Sequence, residues 1–79
     1  MFVEKENNLD WKDNLWKYKI SKVFAHNGQD CYFAIQKDPL GYCLFFHKMG
    51  DYTLPLLNTD TLQKCYDHAD SYYRYVLCL

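Results

Sequence analysis

Motifs that carry chemistry are scarce in this chain of 79 residues. It has three glycines and contains neither a G-x-x-x-x-G-K-S/T nor a G-x-G-x-x-G pattern, so a loop that cradles phosphate is not expected. Its four cysteines form no C-x-x-C pair, which removes the support for a zinc knuckle or a thioredoxin-type site. No apolar run approaches the roughly 20 residues that span a bilayer. We therefore expect no cofactor, no metal and no membrane partner.

The titratable residues give no support for catalysis either. Cys43 and His47 fall on the same side of one predicted strand, but positions four apart on a strand are separated by roughly 13 Å, too far for a direct hydrogen bond. Asp67 and Asp70 fall one turn apart on a predicted helix, a spacing that occurs on almost any solvated helix. The sequence thus predicts a protein that is not an enzyme and has no catalytic residues.

Positive charge is also limited. Nine basic residues, among them a single arginine, face ten acidic ones, and the formal net charge is -1. Since basic contacts to phosphate supply much of the affinity for nucleic acid, a nucleic-acid partner is less favoured than a protein partner. The lysines near the first predicted strand still leave a small single-stranded nucleic-acid-binding domain as the alternative.

The cysteines indicate the redox environment. No export signal follows Met1, so the thiols are expected to stay reduced in a cytoplasmic protein. All four fall at apolar positions of the pattern or beside them, and we expect them to be buried as small hydrophobic side chains. They are Cys31, Cys43, Cys65 and Cys78.

Residues 16–49 predict three antiparallel strands joined by two tight turns. The segment His26-Asn27-Gly28-Gln29 supplies the Asn-Gly pair that a type I′ turn requires at positive φ. The segment Asp38-Pro39-Leu40-Gly41 supplies a second turn, in which proline presets one φ angle. After a third turn at 50–51, residues 52–57 are extended at best, because Pro55 confines a strand to a sheet edge.

Residues 61–76 predict one long helix. Apolar side chains recur there at the three-, four- and seven-residue spacings of a single helix face, and Asp60 with Gln63 resembles a capping box. The apolar positions are Leu62, Cys65, Tyr66, Ala69, Tyr72, Tyr73 and Val76. The chain is thus predicted to be one α+β domain of ββα type over residues 1–79. It comprises a lead-in over 1–15, a three-stranded antiparallel β-meander over 16–49, and one long C-terminal α-helix over 61–76.

The two tight turns fix the register and therefore the face on which each side chain lies. One face is predicted to form the core beneath the helix, with Tyr18, Ile20, Phe24, Cys31, Phe33, Ile35, Tyr42, Leu44 and Phe46. Lys22 falls among these apolar residues and does not fit. Either its stem runs along the core with the ammonium group in water, or a bulge resets the alternation at this point.

The second face of the sheet is the candidate binding surface. A partner, or the N-terminal segment with Phe2, Leu9 and Trp11, is all that could cover it. The residues predicted to contact a protein partner there are Lys17, Lys19, Tyr32, Phe45 and His47. Asp67, Asp70 and Arg74 on the polar face of the helix are a second choice, and pairing of two copies into a homodimer is left open.

The layout of residues 16–76 is similar in type to small accessory proteins of phages and mobile elements. One small domain, a meander with a helix and no active-site motif resemble several anti-CRISPR and other anti-defence inhibitors. The resemblance implies a cytoplasmic, non-enzymatic protein that occludes a nucleic-acid or partner surface on a host complex. It is carried by the pattern of elements and assigns no role to a particular residue.

Overall fold

An antiparallel sheet dominates the computed structural model, which describes residues 9–78. Its strands are β1 (Lys12–Asp13), β2 (Lys19–Ile20), β3 (Phe24–His26), β4 (Gln29–Asp38), β5 (Gly41–Lys48) and β6 (Tyr52–Thr59). The order across the sheet is β1-β2-β4-β5-β6, and β3 also pairs with β4. Helix α1 (Leu62–Ser71) follows and continues into one π-helical turn, Tyr72–Val76.

The predicted three-stranded meander with one long helix is wrong. The described residues form six strands that hold 47% of them, and the helical segment is short, with 15 residues. The sheet extends on both sides of the central β4–β5 hairpin. On one side the predicted first strand divides into β2 and β3, and β1 adds to β2. On the other side β6 pairs with β5 over most of its length.

Strand β6 forms although it contains Pro55. As predicted for a proline-bearing strand, it lies at the edge of the sheet, where a missing backbone N–H costs least. A β-bulge also interrupts the regular hydrogen bonding next to the proline. Pro55 pairs with Phe45 and Leu57 pairs with Leu44, which leaves Leu56 as the extra residue. The extended segment therefore continues past the predicted end at residue 57.

The central hairpins have the predicted turns and register. Asn27 and Gly28 have φ angles of 52° and 79°, the positive values that a type I′ turn needs, and His26 pairs with Gln29. Across the second turn Asp38 pairs with Gly41. Further along β4 and β5, Phe33 pairs with Phe46 and Ile35 with Leu44, so these side chains lie on one face as expected.

The first predicted strand breaks at Ser21. Its N–H donates to the carbonyl of Phe33 at 2.9 Å, and its hydroxyl oxygen accepts the N–H of Phe33 at 2.8 Å. The N–H of Lys22 turns away from β4 and donates to the carbonyl of Leu9 at 2.7 Å. Two explanations were open for the misfit of Lys22. The structure agrees with the second, in which an interruption of the strand resets the alternation of side chains between the two faces.

The interruption shifts the register of β2 by one residue. Ile20 pairs with Ala34 instead of Ile35, and Lys19 takes the place opposite Ile35. Because opposed residues share a face, Ile20 moves away from the predicted core and Lys19 moves to the helix side.

The core lies between one face of the sheet and the helix. Phe33 is at its centre, with its ring centroid 5.6 Å from that of Phe24, 5.5 Å from that of Phe46 and 6.0 Å from that of Tyr72. The buried cluster consists of Leu9, Phe24, Cys31, Phe33, Ile35, Leu44, Phe46, Cys65, Ala69 and Leu77. Aromatic rings thus supply much of the apolar area that stabilises this small domain.

The helix begins one residue later than predicted. Thr61 is its N-cap, with a hydroxyl that accepts the N–H of Lys64 at 3.3 Å. The expected capping box is not formed, because Asp60 instead pairs with the ammonium group of Lys64 and Gln63 donates to Asp67 at 3.0 Å.

The π-helical turn changes which residue packs at the C-terminal end. The N–H of Leu77 donates to the carbonyl of Tyr72 at 3.0 Å, five residues back instead of four. Leu77 is therefore buried, at 7% exposure, whereas Val76 is 61% exposed. The prediction of Val76 as part of the buried stripe is wrong, because a uniform 3.6-residue period cannot include an extra residue.

Truncation at these two positions tests the π turn. We expect Leu77→Ala to lower the free energy of unfolding by about 2 kcal/mol, since it leaves a gap in the core. Val76→Ala should change it by less than about 0.5 kcal/mol, since that side chain is in solvent. Urea denaturation followed by fluorescence measures both, and the opposite order would mean that the α-helical phase continues to residue 76.

Gly41 allows two strands to approach closely. It has a φ angle of 155°, and a Cβ atom at this position would overlap the carbonyl oxygen of Thr59 at the end of β6. We expect Gly41→Ala to destabilise the fold by about 3 kcal/mol, measured by thermal or urea unfolding. Gly28→Ala is the matched control, because Gly28 has open space around it and should cost only about 1 kcal/mol for its positive φ. Equal losses would contradict the close approach.

Candidate functional site

The face of the sheet opposite the helix contains the candidate site. We call it the open face, formed by Tyr32, Ala34 and Gln36 of β4 and by Cys43, Phe45 and His47 of β5. Helix α1 packs on the other side of the sheet, through Cys65 and Ala69. Within residues 9–78, no helix lies over the open face.

The N-terminal residues that could have covered this face lie elsewhere. Leu9 is fully buried in the core, and the ring of Trp11 lies 6.4 Å from that of Phe33 and 5.1 Å from that of Tyr66 on the helix. Both are therefore on the helix side of the sheet. Phe2, the third residue considered for this cover, lies outside the described residues.

Three of the predicted contact residues come together on the open face. The rings of Tyr32 and His47 are stacked, with centroids 4.7 Å apart and planes at 10°, and the ring of Phe45 lies 6.4 Å from His47. His47 is further held by Thr53 of β6, whose hydroxyl oxygen is 2.9 Å from Nδ1. This cluster is half-buried and fixed by the strand pairing of Tyr32 with His47.

His47 is kept neutral by its surroundings. Burial, together with the positive charge of Lys17, lowers the pKa of His47 below its usual 6.5. The buried Nε2 atom has no hydrogen-bond partner within residues 9–78, so the doubly protonated ring would leave its Nε2–H without an acceptor there. The open face is thus assembled with an uncharged imidazole.

The lowered pKa predicts a loss of stability in acid. Because the folded chain holds its proton less readily than the unfolded chain, stability is complete above pH 6.5 and is lost as pH falls through the lowered pKa. We expect His47→Gln to reduce the fall in unfolding free energy between pH 6.5 and about pH 5. His68→Gln, on the exposed side of the helix, is the control for the substitution itself. An unchanged profile in His47→Gln would contradict this assignment.

A groove adjoins the cluster at the break in the first strand. We call it the Trp16 groove, with a volume of about 320 Å³, lined by Asn14, Trp16, Lys17, Ile20, Ser21, Val23, Tyr32 and Met49. The register shift turns Ile20 into it, and the break at Ser21 brings Val23 to its rim. Trp16 is 86% exposed.

The loop that carries Trp16 is held by Asn14. The side-chain oxygen of Asn14 accepts the N–H groups of Trp16 at 3.0 Å and of Lys17 at 2.9 Å. Neither Trp16 nor Ile20 was among the predicted contact residues. The Asn two residues before the tryptophan is a local turn signal that could have placed Trp16 on a projecting loop, but the position of Ile20 depends on the long-range break.

Lys17 and Lys19, both predicted to contact the partner, lie on different sides of the sheet. Lys17 is half-buried, lines the Trp16 groove and has no ion pair within residues 9–78. Lys19 pairs with Asp13 of β1 and lies opposite Ile35, on the helix side of the sheet. The structure therefore brings Lys17, but not Lys19, to the open face.

The second-choice residues form a separate surface on the helix. Arg74 pairs with Asp70 at 3.2 Å, as the i,i+4 spacing predicts, and Asp67 accepts a hydrogen bond from Gln63 at 3.0 Å. Asp67 and Arg74 are exposed and Asp70 is half-buried. Asp70 and Arg74 thus neutralise each other, whereas Asp67 is held by a neutral amide and keeps its negative charge.

The four cysteines are free thiols in different environments. Only Cys31 and Cys65 are buried, so the expectation of burial is wrong for half-buried Cys43 and exposed Cys78. Burial raises the pKa of Cys65 to about 11, and burial with Asp38 raises the pKa of Cys43, which disfavours the nucleophilic thiolate. Cys43 contacts Asn58 at 3.4 Å, and within residues 9–78 no three His, Cys, Asp or Glu side chains could jointly hold a metal ion.

Comparison with protein-family models, with curated proteins and with solved structures finds no match. Among the described helical segments, none has the length and apolar character required to cross a membrane. The geometry of the open face and the Trp16 groove is therefore the basis for assigning a function.

Proposed function

We propose that this chain is a non-enzymatic protein-binding module that holds its partner on the open face and in the Trp16 groove. The observation that carries this proposal is the set of aromatic and aliphatic side chains on this side of the sheet, over which no other element within residues 9–78 packs. Trp16, Val23 and Met49 are all exposed there, beside half-buried Phe45. Surfaces rich in aromatic residues and methionine are typical of the buried centres of protein interfaces.

The arrangement of the rings also favours binding. Tyr32 and His47 stack on each other, and Thr53 holds the imidazole in place. Their side chains therefore lose little conformational freedom when a partner covers them, and such rigid aromatic residues are frequent binding hot spots. The unpaired charge of Lys17 at the edge of this cluster can provide orientation.

A more specific form of the proposal follows the resemblance in type. The protein would act in the cytoplasm as a phage-type inhibitor that occludes a surface of a host defence complex. Its small size suits blocking, because a rigid domain that covers an interface needs no chemistry of its own. Homodimer formation through the same face is the competing use of these side chains.

Single-stranded nucleic acid is the second candidate partner, because exposed rings beside a lysine can stack bases and contact phosphate. Two features make it less favoured. Tyr32 and His47 already use a ring face on each other, and Lys19 is paired with Asp13 away from this surface. Lys17 alone offers little of the positive charge that such binding depends on.

Removal of two rings tests the proposal. We expect Tyr32→Ala combined with Phe45→Ala to reduce capture of the partner from a lysate of the native host at least about tenfold, since the loss of two interface rings exceeds 1.4 kcal/mol. Tyr75→Ala is the matched control, because Tyr75 is 78% exposed on the π turn, and its capture should be unchanged. Circular dichroism and thermal unfolding establish that each variant is folded.

Equal capture by the double variant would contradict the proposal. If the double variant does not fold, Val23→Asp and Met49→Lys at exposed positions replace it, and each should reduce capture while Tyr75→Ala does not. Salt-sensitive binding of a single-stranded oligonucleotide that is lost in Lys17→Glu would favour the nucleic-acid alternative.

A further inference from the structure

We infer that the Trp16 groove recognises a partner segment in which a carboxylate lies beside a large apolar side chain. This inference rests on the proposed function and specifies the chemistry of the partner. It follows from the shape of the groove, from the polar groups that line it and from the one charged side chain among its lining residues.

The walls of the groove are suited to an apolar side chain. Ile20, Val23 and Met49 supply aliphatic surface, and Trp16 and Tyr32 supply aromatic surface. The volume of about 320 Å³ is at the lower end of the range for ligand pockets, roughly 300–1,000 Å³. One leucine-, methionine- or phenylalanine-sized side chain with its adjoining backbone matches this space.

Two side-chain oxygens of the lining already make hydrogen bonds within the chain. The side-chain oxygen of Asn14 accepts two backbone N–H groups. The hydroxyl of Ser21 accepts the N–H of Phe33 and donates to the carbonyl of Lys22 at 2.9 Å. These groups fix the groove, and neither oxygen needs a partner molecule for its hydrogen bonding.

Lys17 is the one charged side chain that lines the groove. It has no ion pair within residues 9–78, although it also lines an adjoining groove that contains Asp38. Asp38 is engaged by the N–H of Leu40 and the thiol of Cys43. A partner that covers Lys17 without a negative charge would bury an unpaired ammonium group, which is costly, whereas a carboxylate gains a charge-assisted hydrogen bond.

The same features separate a protein segment from other occupants. Nucleic acid needs a series of cations along its backbone, and the groove provides one. A second copy would bring another Lys17 and no carboxylate in its own groove, so a symmetric contact through the groove places like charges together. An acidic residue next to an apolar one on a different protein satisfies both the walls and the charge.

Selection of random displayed peptides on the immobilised full-length chain tests the inference. We expect the enriched peptides to share Asp or Glu beside a large apolar residue. Measured by fluorescence anisotropy, the best of them should bind Lys17→Glu about tenfold more weakly, the effect of losing one charge-assisted hydrogen bond. The same peptide with Lys in place of its acid should bind Lys17→Glu better than it binds the wild type.

Lys22→Glu is the matched charge control. Lys22 also has no ion pair within residues 9–78, but it does not line the groove, so the acidic preference should persist in this variant. Val23→Asp is the control for the apolar wall and should abolish binding of every enriched peptide. Both variants change exposed residues, and their unfolding midpoints establish that the fold is kept.

Several results would overturn the inference: enriched peptides without an acid, an acidic preference that survives Lys17→Glu, or no enrichment above that on an unrelated protein. If non-acidic peptides are enriched and Val23→Asp abolishes their binding, the proposed function stands and only the chemistry of the partner is wrong. Binding of a single-stranded oligonucleotide in preference to every peptide, lost in Lys17→Glu, would contradict the proposed function itself. Dimerisation that is lost in Val23→Asp would assign the groove to a second copy.

Discussion

Ser21 makes two hydrogen bonds with Phe33 at the point between β2 and β3 where the chain leaves β4. One runs from the N–H of Ser21 to a carbonyl, and the other from the N–H of Phe33 to the hydroxyl oxygen. Ser21 is 4% exposed, so these bonds are shielded from water and their loss would leave buried polar groups unsatisfied. They replace ladder bonds while allowing the chain to leave β4, and Lys22 is thereby directed away from the core. Because the alternation restarts here, Ile20 faces the groove and Lys19 faces the helix side.

The two faces of the sheet use aromatic residues in different ways. On the helix side, the rings of Phe24, Phe33 and Phe46 pack against one another, Phe33 and Phe46 also pack against Tyr72, and their contribution is burial. The extra residue of the π turn lets Tyr72 keep this contact while Leu77 closes the end of the core. On the open face, the rings pack beside each other within one layer and have no second layer above them among the described residues. The first arrangement stabilises the domain, and the second leaves apolar area that the proposed partner would cover.

Local chemistry allowed part of this structure to be predicted. The Asn27-Gly28 turn and the α-helical period over residues 62–71 depend on residues close in sequence and were found where expected, but the period does not continue to residue 76 as predicted. The same register placed Tyr32, Phe45 and His47 together. What could not be predicted depends on contacts between distant residues. The bonds of Ser21 join positions twelve apart, and β6 persists because an edge position and a bulge compensate for a proline. A pattern of local propensities shows neither a hydrogen bond between distant residues nor the position of a bulge in a strand pair.

The charge of Lys17 affects the pKa of His47, and this links the stability of the open face to the binding of the proposed partner. In the free protein, the positive charge of Lys17 acts with burial to lower the pKa of His47. In the proposed complex, a partner carboxylate beside Lys17 would offset that charge, while closer burial of the imidazole would lower its pKa further. The two effects have opposite signs, so the direction in which binding shifts the titration of His47 indicates which is larger. A shift toward higher pKa requires a negative charge or a hydrogen-bond acceptor from the partner, because burial and Lys17 both act in the other direction. Titration of this imidazole by NMR in the free and bound states, with the acidic peptide and with its amide counterpart, therefore shows whether a carboxylate enters the groove.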